Sequence, residues 1–472
     1  MVDQIKKSTK TLVRPTDPSL GDPDALSPLD QYMVRIIIPI MCTFKIERDD
    51  LRPVIVQNLK AGLARTIDEV PFIASVIVPD DEERGTMKLQ YDETATGVWF
   101  HEQECLEHSY EELEKRRFSP KYYPITTFVP EPRGHSEKCP VLTVQATFIR
   151  GGMVVTYNGH HGIMDAQTLG TFAMLWSRNV HAVSEGYVIP LSERFNSEDL
   201  DRTEFVMASS SRELSSFHTY YAGEKNALRE KILRLSSGGD HLKLHELVPI
   251  SHWFMTKEKL DLLNQSIRDA FPNAPGVTEA SLLSALIWKS IAQARTLREK
   301  AVGGSSMFTS TNVRRMLDPQ LELTYPGNAI ALARADATTE ELYSDDELRT
   351  LYNLAKKVSE SIDEWTADEL YELLGVVNEL DNVVNVMYPD LDHGFYCSQP
   401  ARFGNLVGGS QWGSEIGAIK AFRFAFPPPV DGFGCPLPAI GGGMDIMIWI
   451  NKEVQAKLRT LPSWTKWLEE LV

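Results

Sequence analysis

The chain has 472 residues, 43% hydrophobic and 24% charged, which is enough apolar material for a large core and two domains and excludes disordered and fibrous classes. A formal net charge of −17 argues against a nucleic-acid or anionic-membrane surface, because phosphate binding relies on clustered Lys and Arg. Five cysteines, Cys42, Cys105, Cys139, Cys397 and Cys435, are scattered, odd in number and without metal-binding spacing, which points to a reducing, cytoplasmic setting.

The N-terminus carries Lys6, Lys7 and Lys10 with no apolar run behind them, and Pro39 interrupts the apolar stretch Ile36 to Cys42. Neither a signal peptide nor a transmembrane span is expected. Pro15 to Pro28, rich in Pro, Asp and Gly, reads as an extended lead-in to a strand from Arg35 to Phe44. Val56, Leu59, Leu63 and Ile67 mark a helix, and Phe72 to Val78 a β-rich segment after Pro71. Charges crowd Asp80 to Arg84 and Glu102 to Arg117, as in solvated loops and helix faces.

Leu142, Val144, Ala146 and Phe148 then recur at every second residue, Arg150-Gly151-Gly152 supplies a turn, and Met153, Val155 and Tyr157 alternate again, which predicts a β-hairpin. After Asp165 the period changes, with Leu169, Phe172, Ala173 and Trp176 at helical spacing. From Ser192 to Asp240 the pattern loosens into Ser209-Ser210-Ser211, Ser215-Ser216 and Ser236-Ser237-Gly238-Gly239. An inter-domain connection over 206–245 is placed there, between domains 1–205 and 246–472. The second half restarts with a strand at Leu247 to Phe254. A helix follows from Thr278, whose hydroxyl suits an N-cap, with Leu282, Leu283, Leu286, Ile287 and Ile291 as its buried stripe.

Tyr157-Asn158-Gly159-His160-His161-Gly162-Ile163-Met164-Asp165-Ala166 therefore spans a strand-to-helix corner. An imidazole there titrates near neutrality and can take a proton from an alcohol or amine, a role worth about 10²- to 10⁴-fold in rate. An aspartate four residues later can fix the ring indirectly by anchoring its loop. Eleven histidines in an acidic chain can also produce one bare His-x-x-x-Asp by chance, but this pair sits at an element boundary, where sites concentrate. Metal binding is the weaker reading, since adjacent strand residues point to opposite faces and no His-Glu-x-x-His or Cys-x-x-Cys pattern accompanies the pair. His160 is expected to pack or hydrogen-bond behind the site.

Several ordered segments resemble the BAHD acyltransferase superfamily, in particular its fungal branch similar to trichothecene 3-O-acetyltransferase. They are Leu26-Ser27-Pro28-Leu29-Asp30-Gln31, the His161 motif, Val277-Thr278 through Ala285-Leu286-Ile287-Trp288-Lys289, Asn312-Val313-Arg314 and Tyr325-Pro326-Gly327-Asn328. The resemblance implies an α/β fold of the α+β type: two similar chloramphenicol-acetyltransferase-like domains, each a mixed β-sheet with helices, enclosing a central channel. His161 would be the general base midway along it. Acyl-CoA, with acetyl-CoA as the default, would enter from one face and a small-molecule acceptor from the other. They would form a ternary complex without an acyl-enzyme, a permanently bound cofactor or a metal, and the protein would be a monomer.

Asp165 would pair with Arg314 and serve loop geometry, not proton transfer. The arginine that often lies two residues beyond is Met316 here. The leading aspartate of the family's Asp-Phe-Gly-x-Gly motif is Gln411, in Gln411-Trp412-Gly413-Ser414-Glu415-Ile416-Gly417. Candidates for the coenzyme A phosphates are Lys289, Arg295, Arg298, Lys300, Lys420 and Arg423, most of them expected on a solvated helix face, or else the helix N-terminus at Thr278. Two other functions fit the His-His-x-x-x-Asp pattern: a stand-alone condensation-domain relative using a carrier-protein thioester, and a non-catalytic small-molecule-binding relative.

Overall fold

Residues 7–16, 23, 25–92, 96–131, 138–195, 205, 208–219, 248–272, 276–385, 391, 393–425 and 431–471 are described by a computed structural model. Most of the expected connection over 206–245 lies outside the described residues.

Two mixed sheets carry the fold. The first has six strands in the order Lys7–Val13, Val98–Ser109, Leu142–Arg150, Gly152–His160, Ile37–Lys45 and Ile419–Phe424. All pairs are antiparallel except Val98–Ser109 with Leu142–Arg150. The second has seven: Ile330–Thr338, Gly304–Asn312, Phe395–Cys397, Phe433–Pro438, Met444–Trp449, Ile250–Met255 and Glu469–Glu470. Two of its pairs, on either side of Phe395–Cys397, are parallel. Three short strands, Met87–Gln90, Val76–Pro79 and Cys139–Pro140, form a small third sheet.

The alternation in 142–158 becomes a hairpin that turns at Gly151, whose φ of 69° an L side chain rarely adopts. Its apolar face meets the helices Arg52–Glu69 and Ala166–Ser184 in one core. These helices cross closely at Gly62, where a Cβ would stand 2.7 Å from the Val180 main-chain nitrogen. In the second half, Glu279–Ala294 and Glu347–Asp363 cover the seven-stranded sheet in a second core. The two halves also exchange material. Strand Ile419–Phe424 completes the edge of the first sheet, and Leu29 packs in a third core with Val313, Tyr325 and Ala329.

Two local expectations are corrected. Glu102 to Ser109 is strand, not solvated loop or helix face; only Tyr110–Lys115 of that charged run is helical. Val98, Phe100 and Cys105 supply the buried positions, while Glu102 and Glu104 meet Lys60 and Arg52 of the adjacent helix. Around Phe72, Pro71 opens a 3₁₀ turn over Pro71–Ala74, so the strand begins only at Val76.

Candidate active site

The His161 corner is built from main-chain hydrogen bonds supplemented by side chains. His160 ends its strand opposite Ile37, with its N–H on the Val141 carbonyl at 3.0 Å. The chain then turns back on itself, and the N–H groups of Ile163 and Met164 both reach the His160 carbonyl at 2.9 Å. The Gly162 N–H donates to His160 Nδ1 at 3.1 Å, so that buried ring serves the turn. His161 donates its own N–H to the Ile36 carbonyl at 2.8 Å. Asp165 caps the helix Ala166–Ser184, its Oδ1 accepting from the Thr168 N–H at 2.8 Å.

Asp165 faces away from the imidazole. Its Oδ1 also accepts from Thr168 Oγ1 at 3.0 Å and Arg314 Nη2 at 3.1 Å, while Oδ2 accepts from Arg314 Nη1 at 2.8 Å and the Ala329 N–H at 3.1 Å. Both residues are essentially fully buried, Arg314 at 0% and Asp165 at 1% exposure, so the two-point pairing is shielded from water. Burial alone would raise the Asp165 carboxyl; the Arg314 charge and the surrounding N–H donors outweigh it and hold the group below the usual carboxylate value. Arg314 further ties the carbonyls of Tyr325, at 3.1 Å, and Gly327, at 2.7 Å. One guanidinium thus fastens the 325–329 segment to the start of the helix Ala166–Ser184.

Two residues that the sequence marks only as parts of longer motifs join the site. Asn328 donates its amide to the His161 carbonyl at 2.9 Å and to Asp30 Oδ1 at 3.0 Å. Asp30 lies at the third position of a short helix capped by Ser27. Only the Ser27-to-Asp30 capping-box spacing could have singled Asp30 out, and that spacing says nothing about its partner.

His161 itself is half-buried. Burial pulls its imidazole below the ordinary histidine value, against the opposing pull of its own main chain, the Asp165 charge and the Asn328 side chain. It is therefore neutral at physiological pH, the form that accepts a proton. Among the described residues no group of three or more His, Cys, Asp or Glu is placed to hold a metal ion, and no helix is long and apolar enough to cross a membrane.

Gln411 is exposed. The turn it opens is held instead by Trp412, packed edge-on against Phe44 and Trp176 at 5.5 and 5.1 Å, and by the Glu415 carboxylate, which accepts from Ser184 Oγ at the end of the helix Ala166–Ser184. Met316 packs against the third core. The expectation of a solvated face for the coenzyme A candidates fails for Lys289, Arg295 and Arg423, which are all buried, while Arg298, Lys300 and Lys420 are exposed. Arg423 already pairs with Asp445 at 3.1 Å, and Asp445 with His252 at 2.8 Å. Thr278 is engaged locally, in a reciprocal capping box with Ser281.

The chain matches the Transferase family over residues 3–388. Acyltransferase easC of Emericella nidulans is 24% identical over 98% of both chains. Trichothecene 3-O-acetyltransferase TRI101 of Fusarium sporotrichioides is 23% identical over 66% of this chain and 67% of its own. Among solved structures, F. graminearum TRI101 complexed with coenzyme A and T-2 mycotoxin superposes with a TM-score of 0.80, at 17% identity, over 96% of this chain and 100% of that one. The two-domain fold is shared with it.

Proposed function

The chain belongs to the Transferase family, and on that premise we propose that it is an acyl-CoA dependent acyltransferase that acylates a hydroxyl or amine of a secondary metabolite, with acetyl as the default group. Relatives named as acyltransferases and a fold match to a coenzyme A complex support this reading. His161 is the general base. The observation that carries the assignment is a half-buried imidazole fixed at a strand-to-helix corner whose neighbouring aspartate is committed elsewhere.

His161 Nε2 accepts the proton of the acceptor O–H or N–H as that atom attacks the thioester carbonyl. The tetrahedral intermediate collapses with cleavage of the C–S bond, and the imidazolium returns the proton to the departing thiolate. Donor and acceptor meet in one ternary complex in a channel between the domains, so proximity supplies much of the remaining acceleration. Asp165, Arg314 and His160 hold the corner. The protein works as a monomer in the cytoplasm, and five cysteines that are free among the described residues support the reducing compartment. The boundaries 1–205, 206–245 and 246–472 remain our proposal for its domains.

The test is thiol release from acetyl-CoA by the purified protein with a panel of candidate acceptors. His161→Ala is expected to lose about 10²- to 10⁴-fold in kcat. Full activity in that variant would remove the base from the mechanism.

A further inference from the structure

A histidine base is commonly oriented by a carboxylate on its second ring nitrogen. Among the described residues that device is missing. His161 Nδ1 is buried and no acceptor among them lies within hydrogen-bonding geometry of it, and the oxygens of Asp165 are engaged by Arg314, Thr168 and Ala329. The ring must be oriented through its backbone and by packing. The backbone is tied at both ends of the residue: the N–H to Ile36 at 2.8 Å, and the carbonyl to Asn328 at 2.9 Å. The His161–Gly162 peptide plane is thus held at both edges, its carbonyl by Asn328 and its Gly162 N–H by His160 Nδ1 at 3.1 Å.

The tie is itself anchored. Asn328 commits both hydrogens of its side-chain amide, one to the His161 carbonyl and one to Asp30 Oδ1, and its main-chain N–H donates to the same Asp30 oxygen at 3.0 Å. An amide flipped end for end would set its oxygen against two acceptors, which fixes its orientation. Asp30 is held from the opposite side, its Oδ2 accepting from the Ser27 N–H at 2.9 Å and Ser27 Oγ at 2.8 Å. Asp30 and Asn328 are both fully buried.

We propose that Asp30 is a positioning residue for His161 and acts through Asn328: a carboxylate near the N-terminus fixes an amide in the second half, and the amide fixes the main-chain carbonyl behind the imidazole. The proposal rests on His161 being the base. Its purpose is directional, since a base displaced by about 1 Å loses on the order of 10²-fold in rate.

Asn328→Ala, Asp30→Asn and the double variant are compared with wild type and His161→Ala for kcat, both KM values, the pH profile and the urea midpoint. Asn328→Ala is expected to lower kcat by about 10- to 100-fold while each KM moves by less than about threefold. The acid limb of kcat/KM should move to higher pH, because a ring released from its buried place is better hydrated and its imidazolium is penalised less. A merely structural tie would lower the urea midpoint and leave that limb in place. The double variant should be no slower than Asn328→Ala alone, because one residue works through the other.

Unchanged kcat in Asn328→Ala, or rate losses that multiply in the double variant, would overturn the proposal. If His161→Ala is itself fully active, the base assignment fails instead, and the two failures are told apart. Should Asn328→Ala not fold, Asn328→Ser, whose hydroxyl can serve only one of the two acceptors, takes its place in the cycle: a lower kcat with a shifted acid limb supports the proposal, and an unchanged kcat overturns it.

Discussion

Replacing Asp165 by Asn keeps the shape of the side chain and removes one charge from a pair that water does not reach. If the new oxygen occupies the Oδ1 position, the cap on Thr168 survives, and with it about 1 kcal/mol. The new amide then faces Arg314 Nη1 and the Ala329 N–H, donor against donor, where the carboxylate had accepted at 2.8 and 3.1 Å. Arg314 keeps the Tyr325 and Gly327 carbonyls but loses its counter-charge. Breaking one side of a buried pair costs about 3–5 kcal/mol, so the urea midpoint should fall at unchanged slope. With no hydrogen bond to the imidazole to lose, kcat of the folded variant should drop by no more than about tenfold. The sign with pH follows from the lowered carboxyl pKa: the stabilisation is complete above the unfolded value of about 3.9 and fades as pH falls through the folded one. The variant should therefore lose less stability than wild type on acidification below about pH 4. An unchanged urea midpoint with kcat down by about 10³-fold would refute this reasoning and put Asp165 in proton transfer.

The remaining predictions concern the base, its corner and a buried ion pair between the two large sheets. Because burial holds His161 below the ordinary histidine value, the acid limb of kcat/KM should have its midpoint under about pH 6.5; a midpoint above about 7 would contradict the buried setting. Gly159→Ala would drive its methyl into Leu169 Cδ2 on the helix that carries Asp165, at a cost of about 1–3 kcal/mol by thermal melting and with reduced kcat. Arg423→Met leaves buried Asp445 with His252 as its hydrogen-bond partner among the described residues and Arg117 as the remaining nearby cation, and chemical denaturation should register a loss of about 3–5 kcal/mol.

The hairpin before His161 and the helix after it were legible because a period of two gives way to one of 3.6 at Asp165. The strand Val98–Ser109 was not. Its acidic residues look solvated until Lys60 and Arg52 are brought beside them. Lys289, Arg295 and Arg423 misled in the same way, since a cation carries no local sign that packing will bury it.

Local pattern alone determines where an imidazole stands on a strand-to-helix corner, because the turn itself closes between near neighbours, Ile163 and Met164 on the His160 carbonyl, while Val141 and Ile36 only tie the strand end. It also places Asp165 where the helix opens, and the cap that the structure shows there is completed within three residues. What that aspartate faces is decided by Arg314, 149 positions away, and what steadies the His161 carbonyl by Asn328, itself anchored to Asp30 across 298 positions. Such contacts leave no periodicity along the chain. They exist only once burial has stripped water from these groups and left each polar atom to find its partner in another part of the fold.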